Sequence, residues 1–166
     1  MKRLAQLTAT VGGAGYLRPA PGTWGSLAAL PLAWAIHSLG GFILLTAAAV
    51  VTFVLGIWAT RIMTRGADDH DPSEIVIDEV AGQFIALMPI SYASWAHGIE
   101  FLAMWPGWVA AFALFRLFDI SKPGPVGWAD RRGDALGVML DDVIAGVFAA
   151  VGVIALAALW HGVLGQ

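Results

Sequence analysis

Five apolar runs, separated by polar or glycine-rich breaks, follow one another along this chain: residues 24–39, 41–60, 80–96, 101–115 and 143–164. No charged residue occurs between Arg18 and Arg61, a stretch well beyond the roughly 20 residues that one membrane crossing needs. The runs are long and rich in Ala and Leu, which argues for helices and against strands. The pattern predicts an all-α, polytopic helical membrane protein of about five apolar helices, built as a single domain over residues 1–166. The first run has about 16 residues, which at about 1.5 Å each barely spans a hydrocarbon core of about 30 Å. It is therefore either a tilted crossing or a re-entrant helix. Gly40-Gly41 predicts a tight turn between the first two runs, and Pro31 and Pro89 predict kinks. Thr23 is a candidate N-cap for the first helix, and Pro72-Ser73 a candidate helix start. The last helix is expected to begin after Asp141-Asp142, with residues 119–140 as a loop rich in Gly and Pro.

Charge sharpens this picture. Threading the five runs back and forth places every Lys and Arg on one side, together with every Asp and Glu except Glu100. An excess of Lys and Arg marks the cytoplasmic side. Most Trp residues sit near run ends, as interfacial anchors do, although Trp34 does not. Charged residues make up 13% of the chain, against about 25% in soluble domains. The mean hydropathy of +0.75 points the same way. The first residues carry two basic groups but too short an apolar core for a secretory signal. There is no cysteine, which removes disulfides, thiol nucleophiles and thiolate metal sites. The basic residues are scattered singly, so nothing supports nucleic-acid binding.

The chemistry concentrates in a few segments. Asp78-Glu79 and Asp141-Asp142 each stand where an apolar helix is expected to open. Carboxylates there favour the helix dipole by about 0.3–1 kcal/mol, but one acid would serve that purpose. Adjacent helical residues point about 100° apart, so one acid of each pair is expected to face inward. Inward carboxylates at a membrane border need a cation. With Asp119 they form an all-oxygen donor set suited to Mg²⁺; without Cys or a closely spaced His pair, zinc fits less well. Arg116 and Lys122 flank Asp119. Either could be a cytoplasmic anchor, but Lys122 lies in a Pro-stiffened turn and suits a point-charge contact to phosphate. Thr23 and Ser26 open the first helix beside Gly22 and Gly25, where free backbone N–H groups can meet an anion. His70 and Asp71 lie in the first polar loop, where His70 is either an ordinary loop residue, a general acid or a support to the acids. The segments 76–82 and 139–146 also resemble each other: two apolar residues, two carboxylates, then an apolar helix with small residues. Internal duplication and chance similarity both account for that.

Together, PGTWGSLAALP (21–31), HDPSEIVIDEVAGQFIAL (70–87), FRLFDISKPGP (115–125) and GVMLDDVIAG (137–146) resemble the phosphatidylglycerophosphatase A family of small bacterial inner-membrane lipid phosphatases. They occur in that family's order and spacing over most of the chain. The resemblance implies Mg²⁺-dependent hydrolysis of the terminal phosphate of phosphatidylglycerophosphate, giving phosphatidylglycerol, by a multi-pass protein whose site faces the cytoplasm. It carries over Asp71, Asp78, Glu79, Asp119, Lys122, Asp130, Asp141 and Asp142. Gly124 departs from the pattern, since an aromatic often stands there in the family. Soluble helical relatives share the motifs, so not every apolar segment need span. The acids are expected to hold metal, and Lys122, Arg116, Thr23 and Ser26 the phosphate, with His70, Asp71 and Asp130 in support. Attack by metal-activated water is the favoured chemistry, with a phospho-aspartate as the alternative. The competing reading is a small ion- or proton-coupled transporter, because membrane acids also mark ion paths. Its acids would be expected near mid-membrane, whereas these lie at one end of the helices.

Overall fold

A computed structural model describes residues 1–66 and 71–164, and among these residues there are helices and no strands. The helices are α1 (Lys2–Ala9), α2 (Pro21–Met63), α3 (Ile77–His97), α4 (Trp105–Ser121), α5 (Pro125–Asp130) and α6 (Ala135–Leu159). Short 3₁₀ turns cover Ala14–Tyr16 and Leu102–Met104, and a π-helical turn ends the described chain at Trp160–Leu164.

α2 holds the first two apolar runs in one 43-residue element. A straight helix of that length would measure about 64 Å, twice a hydrocarbon core. It is interrupted at Gly40-Gly41 instead. Gly41 has φ +62°, which a side chain would resist, and a Cβ there would approach Trp95 Cδ1 to 2.6 Å. The contacts show that the chain reverses. Gly25 packs on Val76 just before α3, His37 reaches Ser91 and Ser94 near its end, and Gly56 is back beside Ile77. α2 is thus a helical hairpin whose two arms both run along α3.

α4 returns antiparallel to α3, with Gly107 against Ile90 and Arg116 against Glu79. α6 then runs parallel to α3. These two cross where Gly82 and Gly146 each leave room for the other's backbone, because a Cβ on Gly146 would collide with the Gly82 carbonyl oxygen. Small residues permit such close approach. The two segments that resemble each other in sequence are therefore the two that pack together. α3 is central, and Phe84, Leu87 and Gln83 are fully buried on it, with Phe115 of α4 and Leu45 of α2 closing the core.

Among the described residues, three helical segments are long and apolar enough to cross a membrane, Pro21–Met63, Leu102–Ser121 and Ala135–Gly162, rather than the five expected. The first two runs merge into one element. The third falls on α3, where buried Gln83, Ser91 and Ser94 dilute the apolar character. A helix enclosed by others can carry polar side chains that bond across to its neighbours, as Ser91 and Ser94 do to His37. The outer surface is apolar instead, with Ile43, Val50, Val54, Val109, Val151 and Ile154 exposed.

Several boundaries differ from the sequence expectations. α2 starts at Pro21 with Ala20 in the capping position, so Thr23 is not the N-cap. Proline is pre-shaped for a first helical position and has no N–H to lose there. Pro72-Ser73 is a turn, and the helix waits until Ile77. α6 starts at Ala135, where the Asp134 carboxylate accepts from Gly137 N at 2.7 Å. Asp141-Asp142 therefore lies inside α6 rather than ahead of it. The loop 119–140 contains α5, again begun by a proline. His70 lies outside the described residues, with Asp68 and Asp69.

Candidate active site

A cavity of about 280 Å³ opens at the end of the bundle where α3 and α6 begin and α4 finishes. Its wall is formed by Ala20, Pro21 and Gly22 at the start of α2, Asp71, Ser73 and Ile75, Asp78 and Glu79 of α3, Arg116 and Asp119 of α4, Lys122, and Asp141 and Asp142 of α6. Among the described residues, six carboxylates thus face two cations.

The helix geometry explains the convergence. Asp78 and Glu79 occupy the first turn of α3, and the Gly82–Gly146 crossing lies one turn deeper. That crossing brings Asp141 and Asp142 alongside. One oxygen each from Asp78, Glu79 and Asp142 lies within 4.8 Å of the others, as does one each from Asp119, Asp141 and Asp142. Asp142 belongs to both groups. Both acids of each pair reach the cavity, not one as helical divergence alone predicted. The central position of α3 accounts for this, since Asp78 meets α6 while Glu79 meets Arg116 of α4. Asp78, Asp141 and Asp142 are buried, and Glu79 and Asp119 nearly so.

Both cations are held by acids. Arg116 Nη1 lies 2.6 Å from Asp119 Oδ2 and 3.9 Å from Glu79 Oε1. Lys122 closes α4 in a left-handed conformation with φ +45°. Its Nζ bonds Asp141 Oδ2 at 3.0 Å and also pairs with Asp130 at the rim. Partial burial alone would lower the lysine pKa, but the pairs with Asp130 and Asp141 outweigh it and hold the pKa above the ordinary value. Beyond the rim, Asp134 is held below the usual carboxylate range by Arg132 and the Gly137 N–H.

Two features bear on a metal. Buried Glu79 Oε2 has no hydrogen-bond partner among the described residues, although a buried carboxylate oxygen normally has one. The excess of carboxylates also consists of hard oxygen donors, the type that divalent cations such as Mg²⁺ take. The donor set therefore fits a metal ion. Gly22 makes room for the Glu79 carboxylate, because a Cβ there would collide with Glu79 Oε1 and come within 3.2 Å of Arg116 Nη1.

Not every residue singled out from sequence meets the cavity. Thr23 and Ser26 do not line it. Ser26 is fully buried, and its hydroxyl donates to the Gly22 carbonyl at 2.9 Å, with Arg116 Nη1 at 3.5 Å. The earlier helix start puts Ala20–Gly22 at the wall in their place. Gln83 was overlooked. It lies one turn deeper than Glu79, is fully buried, and neither amide atom has a partner among the described residues. Its sequence signal was a lone amide in an apolar run.

Comparison with known proteins follows the same segments. The family model described as phosphatidylglycerophosphatase A matches residues 7–157. A Haemophilus influenzae protein named phosphatidylglycerophosphatase A is 39% identical over 146 residues, covering 87% of this chain and 83% of that protein. An Escherichia coli protein of the same name is 34% identical over 140 residues, covering 83% and 74%. A Bacteroides thetaiotaomicron protein with the provisional name phosphatidylinositol-3-phosphatase is 39% identical over 159 residues, covering 91% and 94%. No solved structure matches the chain.

Proposed function

The chain belongs to the phosphatidylglycerophosphatase A family, and we propose that it hydrolyses phosphatidylglycerophosphate to phosphatidylglycerol and inorganic phosphate in phospholipid synthesis. The observation that carries the reading is the convergence of acids from α3, α4 and α6 with Arg116 and Lys122 at one end of an apolar bundle. That end suits a substrate whose acyl chains remain in the bilayer while its head group meets water. A transporter site is disfavoured by the same placement.

Asp78, Glu79, Asp119, Asp141 and Asp142 would hold Mg²⁺, with Asp71 and Asp130 in support. When bound, the ion supplies charge neutralisation and an acidified water. The chain's own work is positioning. Lys122 and Arg116 are presented to the cavity by their acid partners and can turn to the phosphate oxygens. Gly22, at the start of α2, leaves Glu79 and Arg116 their places at the cavity wall. Water adds to phosphorus, the phosphorus–oxygen bond to glycerol breaks, and a proton returns to the departing oxygen through one of the carboxyl groups. Phosphoryl transfer asks little more than this alignment and charge. The excess of Lys and Arg at the acid end favours a multi-pass arrangement in the bacterial inner membrane with the site facing the cytoplasm.

The Bacteroides relative's name favours a second substrate with the same chemistry, a phosphoinositide carrying a 3-phosphate. Phosphate release by the purified protein in mixed micelles with Mg²⁺ separates the two. The expected result is faster release from phosphatidylglycerophosphate than from phosphatidylinositol 3-phosphate. The opposite order moves the assignment to the inositol lipid, and release from neither overturns the phosphatase reading.

A further inference from the structure

A second cavity, of about 300 Å³, opens between α1 and the turn Ala14–Tyr16. Arg3, Gln6, Leu7, Thr10, Gly13 and Tyr16 line it, and no acid among the described residues does. It shares no residue with the acid cavity. Arg3 has no ion pair among the described residues. Gln6 Nε2 donates to the Tyr16 hydroxyl oxygen at 2.6 Å, which leaves the Tyr16 proton available to a further acceptor. The turn is held in an unusual shape, with Val11, Gly12 and Gly13 all at positive φ. For a β-branched residue such as Val11 this conformation is costly and persists only where the surroundings impose it.

The level of this cavity in the molecule is fixed. Ala5 and Ala9 bury the inner face of α1 against Ile77 and Met139. Val76 N donates to the Ala9 carbonyl at 2.8 Å, two residues before Asp78. Gly15 lies directly on the Glu74 carbonyl, where a Cβ would collide. α1 therefore lies at the polar end of the bundle, beside the acid pocket. Its outer face presents Leu4 and Leu7, exposed by 65% and 59%, next to Lys2 and Arg3. An apolar face bordered by basic residues is the pattern of a helix lying in the plane of an anionic membrane surface. Leu7 continues that apolar face into the cavity wall.

We propose that this cavity binds the phosphodiester head group of an anionic phospholipid, separately from whatever the acid cavity holds. Arg3 meets the phosphate oxygens, the Tyr16 hydroxyl donates beside it, and the acyl chains leave over Leu4 and Leu7. The proposal rests on the reading that the bundle lies in a membrane, and not on the phosphatase assignment.

The test uses the full chain in zwitterionic micelles without divalent metal. Retained lipid is counted by native mass spectrometry after addition of dioctanoyl phosphatidylglycerol, dioctanoyl phosphatidylcholine or inorganic phosphate. Lys122→Ala weakens the acid pocket's capture of anionic lipid by removing one of its two cations. One phosphatidylglycerol should remain bound in Lys122→Ala as in the wild type, with phosphatidylcholine at least tenfold less. Arg3→Ala should reduce retention about tenfold and Arg3→Lys restore part of it, while inorganic phosphate fails to displace the lipid. Equal retention in Arg3→Ala, or equal retention of phosphatidylcholine, overturns the proposal. So does loss of the lipid in Lys122→Ala, which assigns it to the acid pocket, and so does displacement by phosphate, which makes the cavity a free-anion site. Failure of the phosphatase reading appears separately, as absent phosphate release with the Arg3-dependent lipid still bound.

Discussion

Glu79 occupies the space that a side chain on Gly22 would need. Gly22→Ala should therefore displace the carboxylate or Arg116, and phosphate release should fall by about 100-fold, the scale of a lost charge-stabilising contact. The fold should survive, because Gly22 is at a helix start; circular dichroism of the variant checks that and the phosphate assay checks the rest. Lys122→Ala should lower kcat/KM by a similar factor while metal still binds, which isothermal titration with Mg²⁺ would measure. A metal affinity lost together with turnover would instead make Lys122 an organiser of the acids. The pH dependence of this lysine has a definite sign. Its folded pKa is raised, so its contribution to stability is fully present below the ordinary lysine value of about 10.4 and is lost only as pH rises through the higher folded value. Wild-type melting followed against pH should show no loss from this lysine between pH 7 and about 9.5, the loss beginning only above that window. The acids and Lys122 were legible in the sequence because charge at the border of an apolar helix demands a partner. The roles expected of Thr23 and Ser26 depended on a helix start that Pro21 moves earlier.

Glycine decides the element scale as well. Glycine in a helix interior costs about 0.5–1 kcal/mol relative to alanine, so Gly→Ala ordinarily stabilises. At Gly146 the sign should reverse, because a methyl group there strikes the backbone of α3. Gly146→Ala should lower the melting temperature in micelles and reduce phosphate release together, since the same contact seats Asp142. An unchanged or raised melting temperature would show that the crossing has room to spare. Asp134→Ala removes the cap of α6, together with an exposed pair to Arg132, and should cost about 1 kcal/mol. The apolar runs were visible as helices, yet the pattern could not distinguish a lipid-facing helix from an enclosed one. That is why α3 looked like one crossing among equals. Nor could it show that the first two runs form the arms of one hairpin, because Gly40-Gly41 reads equally as a turn between separate elements.

For the whole molecule, the structure is polarised. The acids, Arg116 and Lys122 gather at one end, while Leu39, His97 and Glu100 lie at or beyond the helix ends opposite. The cysteine-free chain permits single-cysteine labelling in intact cells. Ser73→Cys should be protected from an impermeant reagent and Leu39→Cys labelled; the reverse pattern would turn the proposed topology over. The one-sidedness of charge was readable from sequence. The meeting of acids separated by more than sixty residues was an expectation there, and the helix packing now supplies its geometry.

If the acid cluster works through a bound divalent ion, Asp142, common to both carboxylate groups, is the residue whose loss should show it most directly. The measurement is phosphate release from phosphatidylglycerophosphate as Mg²⁺ is titrated into chelator-treated protein, for the wild type and Asp142→Asn. Wild-type release should be negligible without the ion and rise to saturation. Asp142→Asn should remain at least about 100-fold lower at the same Mg²⁺ concentrations. Wild-type turnover undiminished in chelator, or an Asp142→Asn titration that overlays the wild type, would contradict the account.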